Sequence, residues 1–257
     1  MSAEVLQFSI TVVFTACFFF LVWLITKLHK PETVEIRFDT PWKEGALAIG
    51  YVTVLFLIVA MVFFFLVQRT GVPLGTYEQY DLITALSWWG IYAAVYIIPV
   101  LVICKARKQN LQTLGVGKKN MKLSLEMGLL ISLLIVFLST TPELLQEKFF
   151  TYNTFYAFIY FLAVGFGEEL LFRGFLQIRC STWLGEIRGW ILASTIMGII
   201  HIPSRIFVLG LEPIQALVSV VFIIPFSLLM GFIVLKTRSI LGPTVIHTVT
   251  DWMSVLR

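Results

Sequence analysis

Residues 45–67 read GALAIGYVTVLFLIVAMVFFFLV, a stretch without a single charged side chain. An α-helix rises about 1.5 Å per residue, so roughly twenty apolar residues cross the ~30 Å hydrocarbon core of a membrane. Similar runs recur along a chain that is 58% hydrophobic and only 13% charged, which is too few charges to cover a soluble globule. The runs do not alternate apolar and polar residues, which excludes a porin-type barrel. The sequence therefore predicts an all-α membrane protein.

Eight apolar runs are long enough to be spans, and they predict a polytopic bundle of about eight transmembrane helices in one integral membrane domain, residues 1–257. The first four runs contain little polar chemistry, so residues 1–148 are predicted to be four generic helices. Residues 149–257 are predicted to be a four-helix catalytic portion. The predicted spans are Val5–Ile25, Gly45–Val67, Leu82–Cys104, Met127–Thr141 extended back over Leu123, Phe149–Ile178, Gly189–Leu209, Pro213–Leu235 and Ser239–Leu256.

The Lys and Arg residues indicate how these helices are oriented. Most of the nineteen basic residues lie in or beside the first, third, fifth and seventh connections. Because Lys and Arg concentrate in short cytoplasmic loops, we expect the odd-numbered connections in the cytoplasm and both termini on the opposite side. This distribution also accounts for the net charge of +4, so membrane lipid is a predicted partner and nucleic acid is not.

The three cysteines give no sign of a metal or redox site. Cys17, Cys104 and Cys180 lie far apart, in or beside apolar runs, and no C-x-x-C spacing is present. That spacing is the usual signature of a thiol metal site or a redox pair. We therefore predict that all three are small core residues.

Residues 165–174 read GFGEELLFRG and place three charged side chains inside the fifth predicted span. A charge at membrane depth costs about 2.5–3.5 kcal/mol on insertion scales, so such residues are mostly paired or functional. Glu169 and Arg173 are one helical turn apart and can form an ion pair, which predicts a supporting role for both. Glu168 lies about 100° further round the helix and is the carboxylate predicted to act.

Two histidines lie in later predicted spans, and each is a candidate for the same site. His247 is followed four residues later by Asp251, a spacing that predicts a second pair on one helical face. At 1.5 Å per residue, Glu168, His201 and His247 lie about 12–18 Å from the cytoplasmic ends of their spans. This common depth predicts an intramembrane catalytic cavity, provided that the sixth span continues past Pro203.

A carboxylate beside a neutral imidazole in apolar surroundings is suited to take a proton from water, which makes water the predicted nucleophile. A serine nucleophile is disfavoured because no G-x-S-x-G elbow is present. Glu, His and Asp are also zinc ligands in number and type. No H-E-x-x-H motif places two of them on one helical turn, and zinc stays open as an alternative on these residues alone.

The motif Glu168-Glu-x-x-x-Arg173, then His201 near the end of a span, then His247-x-x-x-Asp251 resembles the CAAX protease and bacteriocin-processing family of intramembrane proteases. That family includes the type II CAAX prenyl endopeptidases, and the resemblance extends from about Phe149 to the carboxyl terminus. It implies a metal-independent, glutamate-dependent endopeptidase without a cofactor. It also implies a multi-pass protein whose active site opens toward the cytoplasm, in the plasma membrane of a prokaryote or the endoplasmic reticulum of a eukaryote.

The resemblance implies a role for each matching residue. Glu168 and His201 would activate the hydrolytic water, and His247 and Asp251 would line the oxyanion pocket. Asp251 stands where asparagine is common, so we expect it to orient His247 by accepting its N–H. The implied substrate is a prenylated CAAX protein or another membrane-associated peptide, cleaved near its carboxyl terminus.

Two other functions could use the same residues. In a non-enzymatic membrane partner, such as a bacteriocin-immunity factor, the buried charges would serve assembly. In a proton-coupled transporter they would form a proton relay across the membrane.

Overall fold

A computed structural model of the chain describes residues 3–71 and 79–256. The structure is 83% helix, and no strand occurs among the described residues. The backbone N–H and C=O groups of a spanning segment find no water in the hydrocarbon core, and a helix satisfies them within the segment. The predicted all-α membrane fold is confirmed.

The described residues form eleven α-helices, which are numbered here in chain order. They are α1 (Ala3–His29), α2 (Pro41–Thr70), α3 (Leu82–Tyr92), α4 (Ile98–Ala106), α5 (Met121–Ser139), α6 (Pro142–Lys148), α7 (Tyr152–Glu169), α8 (Ile178–Leu184), α9 (Glu186–Ile199), α10 (Pro213–Thr237) and α11 (Leu241–Leu256). Three stretches have the wider π-helical turn, in which each N–H bonds the carbonyl five residues back. The first, second and third π segments are Ala93–Ile97, Leu170–Gln177 and Ser204–Val208.

Seven helical stretches among the described residues are long and apolar enough to cross a membrane. They are Val12–His29, Pro41–Thr70, Leu82–Ala106, Met121–Ser139, Tyr152–Leu184, Glu186–Val208 and Pro213–Thr237. The first seven predicted spans are thereby confirmed as helices of sufficient length and hydrophobicity, with shifted ends. The sixth of these stretches, Glu186–Val208, includes the predicted continuation past Pro203.

The eighth predicted span differs from the other seven. It corresponds to α11, which has 16 residues and is therefore only about 24 Å long, less than the ~30 Å of the hydrocarbon core. Ser254 is its one exposed residue, because α11 packs between α5 and α7. Its composition resembles that of a span, but its surroundings in the structure are protein on most sides.

Local signals in the sequence explain where several helices begin and end. The Asp81 side chain accepts a hydrogen bond from the Thr84 N–H at 2.7 Å and caps α3. The Thr151 hydroxyl accepts one from the Thr154 N–H at 3.2 Å and caps α7. Such caps satisfy backbone donors that have no partner within the helix. Gly71, at φ 74°, ends α2 in the left-handed conformation that glycine adopts without strain.

The described chain packs as two compact units, and the first is built from residues 3–24, 37–71 and 176–232. In this unit α8 packs against both α2 and α9. The buried Arg179 Nε lies 3.4 Å from Glu44 Oε2. Gly45 leaves room for Trp183, since a Cβ at this position would lie 2.5 Å from the indole ring.

The second unit is built from residues 25–36, 79–175 and 233–256. Here α11 packs on α5 and α7, and α3 packs on α7. A Cβ on Gly128 would lie 2.7 Å from Gly242 Cα, and a Cβ on Gly165 would lie 2.6 Å from Thr248 Oγ1. Small residues at helix crossings let backbones approach closely. These two contacts bring α11, which carries His247, against the two helices beside it.

The prediction for the cysteines is partly wrong. Cys104 and Cys180 are buried, as predicted, but Cys17 is exposed. It lies on the outer side of α1 together with the exposed Phe14 and Phe20. In a membrane an apolar side chain is as stable against lipid as in a protein core, so hydrophobicity alone did not predict which way Cys17 faces.

Candidate active site

The two adjacent glutamates of the motif lie at the end of α7 and are both buried. Glu168 is 8% exposed and Glu169 is fully inaccessible. The helix changes to the second π segment directly after them, at Leu170. π-helical turns occur often at functional sites, so the backbone itself distinguishes this position from the rest of the span.

The predicted ion pair between Glu169 and Arg173 is present in the structure. Arg173 Nη1 lies 3.2 Å from Glu169 Oε1, and neither side chain is more than 1% exposed. Burying two charges is tolerated when they are paired, and removing one partner of such a pair typically costs about 3–5 kcal/mol. This pair therefore supplies the charge compensation that was expected of it.

His247, on α11, contacts all three carboxylates of the predicted site. Its Nδ1 lies 2.8 Å from Glu169 Oε1. Its Nε2 lies 3.4 Å from Asp251 Oδ2 and 3.8 Å from Glu168 Oε2. The predicted contact between His247 and Asp251 is present, and the shorter contact with Glu169 was not predicted. Glu169 Oε1 thus faces Arg173 on one side and the imidazole on the other.

Asp251 is the most accessible member of this cluster. Its side chain is 36% exposed, whereas that of His247 is 6% exposed. One turn of α11 thus leads from a partly exposed carboxylate to a buried imidazole. The cluster is thus accessible from outside the protein at Asp251, whereas Glu169 and Arg173 are closed off.

Tyr92 also belongs to this cluster, although the third span was expected to contribute little polar chemistry. Its hydroxyl donates a hydrogen bond to Glu168 Oε1 at 3.3 Å. The expectation of little polar chemistry in the third span is therefore wrong at Tyr92. A signal was present in the sequence, because Trp88, Tyr92 and Tyr96 follow one another at helical spacing within an apolar run. Taken alone, however, such aromatic residues also fit ordinary helix packing.

His201 lies in the first unit, at the turn that follows α9. Its Nδ1 is 2.7 Å from the Met197 carbonyl oxygen, and its own carbonyl accepts bonds from Ser204 Oγ at 2.8 Å and Arg205 N at 3.0 Å. A carbonyl only accepts, so Nδ1 carries the proton in this contact, and Nε2 of the neutral ring is then an acceptor. The other five predicted residues lie in the second unit. The predicted meeting of His201 with Glu168 stays a prediction.

The residues around His247 also bear on the zinc alternative. Among residues 3–71 and 79–256, no group of three or more His, Cys, Asp or Glu side chains is placed to hold a metal ion. The Glu169 oxygen nearest the imidazole faces the Arg173 guanidinium at 3.2 Å. A fixed positive charge at that distance repels a second cation.

Comparison with protein-family models gives one match, to the family described as type II CAAX prenyl endopeptidase Rce1-like, over residues 150–253. The match begins two residues before α7 and ends within α11, so it contains all six predicted site residues. The predicted resemblance is confirmed over this part of the chain, and the match supports the predicted peptidase class. Neither the comparison with curated proteins nor that with solved structures gives a significant match.

Proposed function

We propose that the protein is an intramembrane endopeptidase that hydrolyses a peptide bond near the carboxyl terminus of prenylated CAAX-type substrates or related membrane peptides. One observation carries this proposal: within the matched region, a buried imidazole lies against three carboxylates. One of these, Glu169, is compensated by Arg173. A second, Glu168, lies beside the imidazole at 3.8 Å and is the acid assigned to the chemistry.

In the proposed reaction Glu168 and His201 activate one water molecule. The water oxygen attacks the carbonyl carbon of the scissile peptide while its proton passes to the Glu168 carboxylate. A C–O bond forms, and the carbonyl oxygen becomes an oxyanion. The proton then passes to the leaving amine as the C–N bond breaks, so that the acid and amine products appear together and Glu168 is again ionised.

His247 supplies the electrostatic part of the reaction. Its two ring nitrogens face the carboxylates of Glu169 and Asp251, at 2.8 and 3.4 Å, an arrangement in which both can carry a proton and donate. The Nε2–H, which is held less closely than the Nδ1–H, would turn from Asp251 to the carbonyl oxygen and stabilise the negative charge that develops there. Asp251 and Glu169 orient this ring, and Arg173 holds Glu169 in place. No metal and no cofactor take part in these steps.

The placement of the site in the cell is also part of the proposal. The chain forms a single integral membrane domain over residues 1–257, with a catalytic portion in 149–257. Its cavity lies within the membrane and opens toward the cytoplasm, in a prokaryotic plasma membrane or the endoplasmic reticulum. Exposed basic residues in and beside the connection between α4 and α5 support this orientation; they are Lys105, Arg107, Lys108, Lys118, Lys119 and Lys122.

Cleavage of a farnesylated CAAX peptide by the purified protein tests the proposal. Wild type should release the tripeptide, and Glu168→Ala should abolish release while the protein still melts at its normal temperature. Glu147→Ala removes an exposed carboxylate on α6 and is the matched control, which should keep full activity. A panel of unprenylated peptides, assayed in parallel, defines the substrate class.

The transporter and the non-enzymatic partner each predict a result that differs from that of a peptidase. A transporter would show proton-linked flux in proteoliposomes and no hydrolysis of any peptide in the panel. A non-enzymatic partner would keep its cellular function in Glu168→Gln. Either result would refute the peptidase proposal.

A further inference from the structure

Tyr92 contacts the acid that we propose as the general base. Its hydroxyl donates to Glu168 Oε1 at 3.3 Å, and both side chains are buried. We propose that Tyr92 is a positioning residue for the hydrolysis, which turns the Glu168 carboxylate so that Oε2 takes the proton from water. This role rests on the proposed function and assigns a task to a helix outside the matched region.

The Tyr92 ring is held firmly enough for such a role. It stacks on Tyr96, with ring centroids 4.8 Å apart and planes 20° apart, and it contacts Trp88 at 5.9 Å. On its other side lies Gly167, where a Cβ would come within 2.7 Å of Tyr92 Cδ1. The ring therefore packs against the α7 backbone one residue before Glu168. A ring fixed on two sides presents its hydroxyl in one place.

The contact distinguishes the two oxygens of the Glu168 carboxylate. Oε1 accepts the tyrosine hydrogen bond, whereas Oε2 lies 3.8 Å from His247 Nε2, beyond hydrogen-bond distance. The oxygen that faces the imidazole is thus the one that the tyrosine does not engage.

The backbone of α3 changes its winding near this contact. The helix changes to the first π segment directly after Tyr92, just as α7 changes to the second π segment directly after Glu169. Two helices that meet at one hydrogen bond therefore both change their winding at that level, and π-helical turns are frequent at functional sites.

Tyr92→Phe tests this role, with Tyr96→Phe as the matched control. Both variants remove one hydroxyl from the same aromatic stack and keep its rings, so both should fold, which thermal melting checks. A hydrogen bond to a charged group is worth about 1.5–3 kcal/mol. We therefore expect kcat for the farnesylated CAAX peptide to fall about tenfold or more in Tyr92→Phe, with KM unchanged. Tyr96→Phe should match wild type.

The split between kcat and KM separates positioning from packing. Loss of positioning should lower kcat in Tyr92→Phe and leave KM and the melting temperature unchanged, whereas loss of packing would lower the melting temperature. Equal kcat values of the Tyr92→Phe and Tyr96→Phe variants would overturn the role.

An infrared measurement keeps the test independent of peptidase activity. Difference spectra between each protein and its Glu168→Gln form isolate the carboxylate stretching bands of Glu168. Because Oε1 loses its hydrogen bond, these bands should shift in frequency in Tyr92→Phe and stay in place in Tyr96→Phe. The same frequencies in all three proteins would overturn the role of Tyr92. Absence of hydrolysis by wild type, with the shifted bands present, would refute only the proposed function.

Discussion

Replacing both members of the Glu169–Arg173 pair should separate their structural contribution from their catalytic one. Glu169→Gln alone removes the Glu169 carboxylate from beside a fully buried guanidinium, which should destabilise the fold by about 3–5 kcal/mol. Adding Arg173→Met removes the buried positive charge as well. Because a buried ion pair is often no more stabilising than apolar residues of similar volume, the double variant should recover most of the lost stability.

Activity should not recover in the same double variant. Glu169 Oε1 lies 2.8 Å from His247 Nδ1, and this charge-assisted contact is absent from both variants. Its loss is worth about 1.5–3 kcal/mol, which corresponds to about a 10- to 150-fold lower kcat. Thermal melting in detergent measures stability, and release of the tripeptide from a farnesylated CAAX peptide measures activity.

The Glu44–Arg179 pair is a matched control for this experiment. It is equally buried, with Arg179 Nε 3.4 Å from Glu44 Oε2, and it lies in the first unit. Glu44→Gln should destabilise the protein by a similar amount, and Glu44→Gln with Arg179→Met should restore both stability and activity. If the Glu169 and Arg173 double variant also regains full activity with its stability, Glu169 does not orient His247 and the reasoning is wrong.

Three further perturbations have defined outcomes. Gly165→Ala places a Cβ 2.6 Å from Thr248 Oγ1 and should lower the free energy of unfolding by about 1–3 kcal/mol through overpacking. Gly90→Ala is the control, because Gly90 has open space around it, and this variant should melt like wild type. Equal melting temperatures of the two variants would refute the close packing of α7 and α11. Hydrogen bonds from Thr84 hold the pKa of the exposed Asp81 carboxyl below its usual range. The stability that this cap contributes is therefore present above the pKa that Asp81 has in the unfolded chain, and it is lost as the pH falls through the pKa that Asp81 has in the folded protein. The difference in melting temperature between wild type and Asp81→Ala should therefore shrink in acid, and a difference independent of pH would contradict the capping role. Finally, ortho-phenanthroline should leave peptidase activity unchanged; inhibition that added zinc reverses would disprove the metal-free mechanism.

Length and composition were sufficient to predict the spans, because crossing a membrane depends on local hydrophobicity over a known thickness. The pairs Glu169–Arg173 and His247–Asp251 were predictable for a similar reason, since a spacing of four residues brings side chains together on any helix. The short α11 was predicted as a span because the sequence does not show that protein, rather than lipid, surrounds it.

Contacts between distant parts of the chain could not be predicted in this way. Glu169 and His247 are 78 residues apart, and Tyr92 and Glu168 are 76 apart. These contacts depend on how closely α11 and α3 approach α7, which is determined by small residues such as Gly165 and Gly167. The glycines are visible in the sequence, but their packing partners are not. The π segments were missed as well, because one wider turn barely changes the hydrophobic period.

An experimental structure of the protein with a bound, uncleavable peptide analogue would test the central claim most directly, through the distances from one ordered water to Glu168 and His201. We predict that the carboxylate and the imidazole Nε2 both lie about 2.6–3.2 Å from that water, next to the carbonyl of the bond to be cleaved. Side chains of Glu168 and His201 that face lipid, or that share no water, would contradict the proposed mechanism.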